Sequence, residues 1–145
     1  MNIDTTAPLI GKKDIEINAP VHHVWAIQTD IESWPKWQKD ISTVNIEGRL
    51  TKGTVFKWKA MGMNIISVLQ EVNENKIIGW SGKSIGMNAI HVWKFEKQGN
   101  KTIVTTEESL SGWFPMLIRL FKPDFLEQSL SKSLLNLKNQ AEKTK

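Results

Sequence analysis

The sequence predicts a single α+β domain in which a curved, seven-stranded antiparallel sheet wraps a long C-terminal helix around an internal apolar cavity. Three observations predict it. Six consecutive segments between Ile41 and Leu110 alternate apolar and polar residues and are separated by short Gly- or Asn-containing turns, the pattern of an antiparallel meander. Leu126, Leu130, Leu134, Leu137 and Ala141 then recur at steps of four, four, three and four, which places one apolar stripe along a helix. The third observation is the aromatic content, seven Trp and five Phe without a Tyr, because large side chains commonly line the wedge left where a helix and a curved sheet diverge.

The elements follow in order. Lys12–Asn18 alternates through Ile15 and Ile17 and reads as a strand. Asn18-Ala19-Pro20 ends it and opens a helix, with proline suited to a first helical position because its missing N–H has no partner there. Val21, Val24 and Trp25 continue at helical spacing. Asp30–Pro35 starts a second short helical piece, and Pro35 restricts Trp34 to extended or turn geometry. The strands are then Ile41–Glu47, Thr54–Met61, Met63–Val72, Ile77–Ser84, Met87–Glu96 and Lys101–Leu110. Glycines 53, 62, 79, 82 and 86 lie at turns or inside strands, where they favour bulges and the curvature a wrapping sheet needs. After Gly112, Trp113–Phe121 is nearly all apolar, with Arg119 its one charge, and Lys122-Pro123 breaks or kinks it before the long helix.

Composition narrows the function classes. The 145 residues fit one domain, with a core at about 12–141, and 40% hydrophobic content is enough to bury that core. The absence of cysteine removes disulfides, thiolate nucleophiles and Cys-ligated metals. Met1–Lys13 lacks a signal-peptide core, and no apolar run approaches the roughly 20 residues of a membrane span, so the expectation is a cytoplasmic protein without stable membrane insertion. The net charge of +4 comes from scattered lysines, which read as solvated strand faces rather than a nucleic-acid track. His22-His23 lack metal-ligand spacing. Gly82-Lys83-Ser84 lacks the upstream glycine of a phosphate loop. No cofactor or metal is expected.

The order of elements, with several strings, resembles the SRPBCC superfamily (START-like, helix-grip fold), closest to its polyketide cyclase/dehydrase-like branch. The strings are Ile15–Pro20 with Val24-Trp25, Trp34-Pro35-Lys36-Trp37, Lys52–Trp58, Ile78–Gly82, His91–Phe95 and Thr102–Glu108. Together they run from about Lys12 to Ala141. The resemblance implies the helix-grip fold and a superfamily of lipid carriers, ligand binders, aromatic cyclases and a co-chaperone activator domain. One fold hosts many functions, so function rests on the site.

His91 shares a strand face with Met87, Ala89, Trp93 and Phe95, so its imidazole points inward, either as an acid/base or ligand donor or as a buried side chain satisfied by a polar neighbour. Either Glu107 or Glu108 faces inward, and the resemblance favours Glu108. That carboxyl would serve as an acid or base, or pair with Arg119, Arg49 or a lysine. Trp34, Trp37, Phe56, Trp58, Trp80, Met87, Ala89, Trp93, Trp113, Leu117, Phe121 and Leu130 complete the expected cavity lining. The alternative for the aromatics is core filling, which suits Trp25 and Trp113 best. Trp113–Phe121 reads as a cap on the sheet, a portal lid or a membrane-touching segment.

Three functions follow. The first is binding of a small hydrophobic, aromatic or lipid-like molecule by a monomer or weak homodimer. The second is a cyclase/dehydratase-like enzyme using His91 and Glu108. The third is a protein-interaction module, which requires a large exposed apolar patch that the sequence does not visibly demand.

Overall fold

A computed structural model describes residues 1–145. Strand β1 (Leu9–Ile17) leads into helix α1 (Val21–Thr29), a single 3₁₀ turn (Ile31–Ser33) and the short helix α2 (Trp34–Trp37). Six strands follow: β2 (Ile41–Ile46), β3 (Val55–Ala60), β4 (Met63–Asn73), β5 (Ile77–Ser84), β6 (Met87–Gln98) and β7 (Lys101–Ser111). Helices α3 (Trp113–Phe121) and α4 (Phe125–Thr144) complete the chain. The seven strands form one antiparallel sheet in the order β1-β7-β6-β5-β4-β3-β2. No helix is long and apolar enough to cross a membrane.

Helix α4 lies across β1. Its buried residues are Leu126, Leu130, Leu134, Leu137 and Ala141, the stripe the periodicity predicts. The seat is Gly11. A Cβ built there would stand 2.8 Å from Leu130 Cδ1 and 3.1 Å from Leu126 Cγ. Strand β1 therefore begins at Leu9 rather than at Lys12. Gly11 is an open strand position whose missing side chain admits the helix.

Two other expectations are corrected. Trp34 has helical dihedrals (φ −50°, ψ −42°) despite preceding Pro35, and Pro35 itself sits in the first turn of α2, where its missing N–H costs no helix hydrogen bond. The chain is still not one long helix: Asp30 (φ −79°, ψ 71°) separates α1 from the turn that follows. The irregular register steps in the sheet fall between Ile41 and Thr43, away from any glycine, and between Leu69 and Glu71, opposite Trp80 and Gly79 of β5. Gly79 and Gly82 also give room to neighbours, Met1 Sδ at the former and Ser67 Oγ at the latter. The segment before β1 runs over the outer face of the sheet, where the Met1 amino group meets Glu71 Oε1 at 2.7 Å and the Asp4 N–H donates to Ser109 Oγ at 3.0 Å.

The buried apolar residues fall into two clusters. The larger joins α1, the 3₁₀ turn, α2 and the C-terminal half of α4 to the sheet, and includes Trp25, Trp34, Phe56, Trp80, Trp93 and Leu134. The smaller holds Leu9, Met87, Leu110, Leu126 and Leu130, with Phe114 and Ile118 of α3 against it. If Gly11 is the seat of α4, Gly11→Val should destabilise the fold by about 1–3 kcal/mol through overpacking, measured by chemical denaturation. Unchanged stability would show that the helix does not bear on β1 there.

Candidate functional site

Between the two clusters lies a cavity of about 700 Å³, within the usual size of a small-molecule site. It exists because α4 carries two stripes. The leucines turn to β1, while Ser129, Ser133 and Asn136, at i, i+4 and i+7, turn to the cavity. Their short side chains leave open the space between α4 and strands β3–β6. Phe114, Leu117, Ile118 and Phe121 of α3 line another part of its wall.

One end of the cavity is aromatic. The ring of Trp34 is 5.3 Å from that of Trp58 and 5.5 Å from that of Trp80. Its Nε1 donates to the Gln28 carbonyl at 2.9 Å. Trp58 Nε1 donates to Ser67 Oγ at 3.0 Å. His91 sits between Trp80 and Trp93, with ring centroids 5.1 and 5.4 Å away. These contacts fix the aromatic wall by edge-on and tilted packing, the arrangements that aromatic quadrupoles favour.

His91 and Glu108 are register partners on β6 and β7, and both side chains point inward. His91 Nδ1 is 3.2 Å from Glu108 Oε2, and its Nε2 is 2.8 Å from Thr106 Oγ1. A carboxylate only accepts, so the tautomer with its proton on Nδ1 is the one that suits Glu108, and in it Nε2 accepts from the Thr106 hydroxyl. Glu107 faces outward, 3.4 Å from Lys12 Nζ and 3.7 Å from Lys94 Nζ. The partner of Glu108 is therefore His91, not Arg119, Arg49 or a lysine. His91 is also satisfied by Thr106, so neither of its nitrogens stands free to take a substrate proton.

Two buried polar atoms of residues that line the cavity have no protein partner, Trp93 Nε1, a donor, and Gln28 Oε1, an acceptor, and both are closed off from the cavity space itself. An unpaired buried donor or acceptor costs about 1–3 kcal/mol.

Of the expected lining residues, the structure places Trp34, Trp58, Trp80, Met87, Ala89, His91, Trp93, Glu108, Leu117 and Phe121 on the cavity wall. Four lie elsewhere. Phe56 is fully buried between Trp34 and Trp80, each 5.8 Å away. Trp37 packs against the outside of the larger cluster. Leu130 faces Gly11. Trp113 lies over Gly86, where an added Cβ would come within 2.6 Å of its indole nitrogen, and is 60% exposed, so it is neither lining nor core. Sequence reasoning missed Gln28, Gln38, Asp40, Met63, Ile65 and the polar stripe of α4. The serine spacing beside the leucines was the one available signal for that stripe. At the mouth, Lys132 Nζ on α4 meets Asp40 Oδ2 at 2.8 Å, tying the helix to the segment before β2.

A family model described as polyketide cyclase / dehydrase and lipid transport matches residues 11–142. No curated protein matches the sequence. Several solved structures share the fold. A hypothetical protein from Helicobacter pylori has a TM-score of 0.84 at 17% identity, covering 96% of this chain and 91% of that one. A START superfamily protein from Mycobacterium smegmatis has a TM-score of 0.78 at 16% identity, covering 94% and 99%. The Zhui aromatase/cyclase of a Streptomyces species has a TM-score of 0.80 at 12% identity, covering 92% and 93%. Identities this low speak to architecture and not to activity.

Proposed function

This chain belongs to the polyketide cyclase / dehydrase and lipid transport family, and on that premise we propose that it binds one small, ring-bearing, largely apolar molecule in the cavity between sheet and α4. The carrying observation is the combination, on the wall of one cavity of about 700 Å³, of four tryptophans with the inward-facing His91–Glu108 pair. A neutral hydroxyl or phenol suits this end, since it can donate to the inward-facing Glu108 carboxylate. The Glu108 carboxylate disfavours an anionic head group beside it. The aromatic walls favour a flat apolar body.

Native mass spectrometry and tryptophan fluorescence with a panel of phenols, quinones and fatty acids test this reading. Neutral phenolic compounds should bind one per chain, and Trp58→Leu, which removes part of the aromatic wall, should weaken them roughly three- to tenfold, the worth of one aromatic contact. Absence of binding across the panel by both methods would sink the proposal.

The cavity-facing His91–Glu108 pair supports a second reading, a cyclase/dehydratase-like enzyme, in keeping with the likeness to an aromatase/cyclase. With His91 Nε2 held by Thr106, Glu108 would be the proton acceptor. On that reading Glu108→Gln lowers kcat about 100-fold or more with little change in ligand affinity. Turnover that survives the substitution would remove Glu108 from the chemistry.

A further inference from the structure

Helix α3 is apolar all round, so packing one side on the cavity leaves the other in water. Phe114, Leu117 and Ile118 turn to the cavity wall. On the outside, Leu120 is 74% exposed, and Phe121, which edges the cavity mouth, is 84% exposed, with Trp113 and Met116 beside them. Ile85, in the β5–β6 turn, is 86% exposed. That turn is fastened to the start of α3: the Phe114 N–H donates to the Gly86 carbonyl at 3.1 Å, and Trp113 covers Gly86. Ile85 and the outer side chains of α3 therefore form one exposed apolar surface at the edge of the cavity mouth, and the part that Ile85 takes in it is what the sequence reading of Trp113–Phe121 lacked.

We propose that this surface docks on an anionic lipid membrane and holds the cavity mouth against it. Two observations favour lipid over a protein partner. The first is shape: the most exposed side chains stand out from a convex helix and a turn tip, which a fluid interface accommodates without a matching groove. The second is charge. Arg119 and Lys122 flank the apolar tips, and Lys83 lies with Lys122 at the mouth. None of the three is in an ion pair, whereas the mouth's other lysine, Lys132, is neutralised by Asp40. Asp124 is the one nearby acid on the following turn, and it accepts from Gln128. An apolar helix face with basic residues at its border is the pattern of an interfacial helix. The surface stands apart from the ligand-binding reading, because docking needs no cavity ligand.

The test is co-sedimentation of the full chain, without added ligand, with vesicles of pure phosphatidylcholine and with vesicles containing equal parts phosphatidylcholine and phosphatidylglycerol. Binding is expected to the second, to weaken with added salt, and to shift Trp113 emission to the blue. Arg119→Glu or Lys122→Glu should each reduce it at least roughly fivefold. Leu120→Glu with Phe121→Glu should reduce it more than roughly tenfold, with an unchanged circular dichroism spectrum because both side chains are exposed. Failure to bind anionic vesicles, or full binding by the Leu120/Phe121 variant, overturns the proposal. So does a concentration-dependent dimer that the same variant dissociates, since the surface would then be a contact between copies.

Discussion

Everything else in the molecule depends on how α4 sits on β1. The leucine stripe needs a flat apolar seat, and Gly11 provides it by having no side chain where Leu126 and Leu130 arrive. Because the helix is drawn to this edge of the sheet, it cannot also cover β3–β5. Those strands curve away, and the gap is closed at one end by α1 and α2 and at the mouth by α3. The serines beside the leucines keep the gap open. A leucine at Ser129 or Ser133 would bring apolar bulk into it and merge the two clusters into one core.

The division of the core explains why the tryptophans have different roles. Trp25 meets Phe95 edge-on at 5.2 Å and is structural. Trp34 is structural on one side and cavity wall on the other, and its bond to the Gln28 carbonyl fixes the end of α1 to α2. That bond also holds the Gln28 backbone, while the Gln28 side-chain oxygen stays buried without a partner. Trp93 is the counterpart on the sheet, with a buried ring and an unpartnered N–H. The polar atoms of this wall thus divide into a satisfied set, Thr106–His91–Glu108, and an unsatisfied set, Trp93 and Gln28. The first set stiffens the wall.

Much of this architecture was legible in the sequence. Alternation marked all six meander strands and the inward face of β6, including Met87, Ala89, His91 and Trp93. The leucine spacing marked the buried stripe of α4. Alternation reports which face a residue takes but not how far along the strand the helix reaches. That is why Phe56, on the same face as Trp58, lies in solid core while Trp58 borders the cavity. Leu130 was assigned to the lining for the same reason: a stripe shows that a helix face is buried, not against what. Trp113 escaped because Gly86, which it covers, is reached only through the turn geometry. Gln28 and Trp93 could be placed by periodicity, but their missing partners are a property of three-dimensional packing.

The central claim is that a real space separates the two clusters, and filling it tests this most directly. Ala89 lines the cavity opposite α4. The measurement is the denaturation free energy of Ala89→Phe. An open cavity predicts stability within about 1 kcal/mol of the parent, because the new ring enters empty apolar volume. A loss well beyond about 3 kcal/mol, the scale of overpacking a filled core, would contradict the cavity and the account built on it.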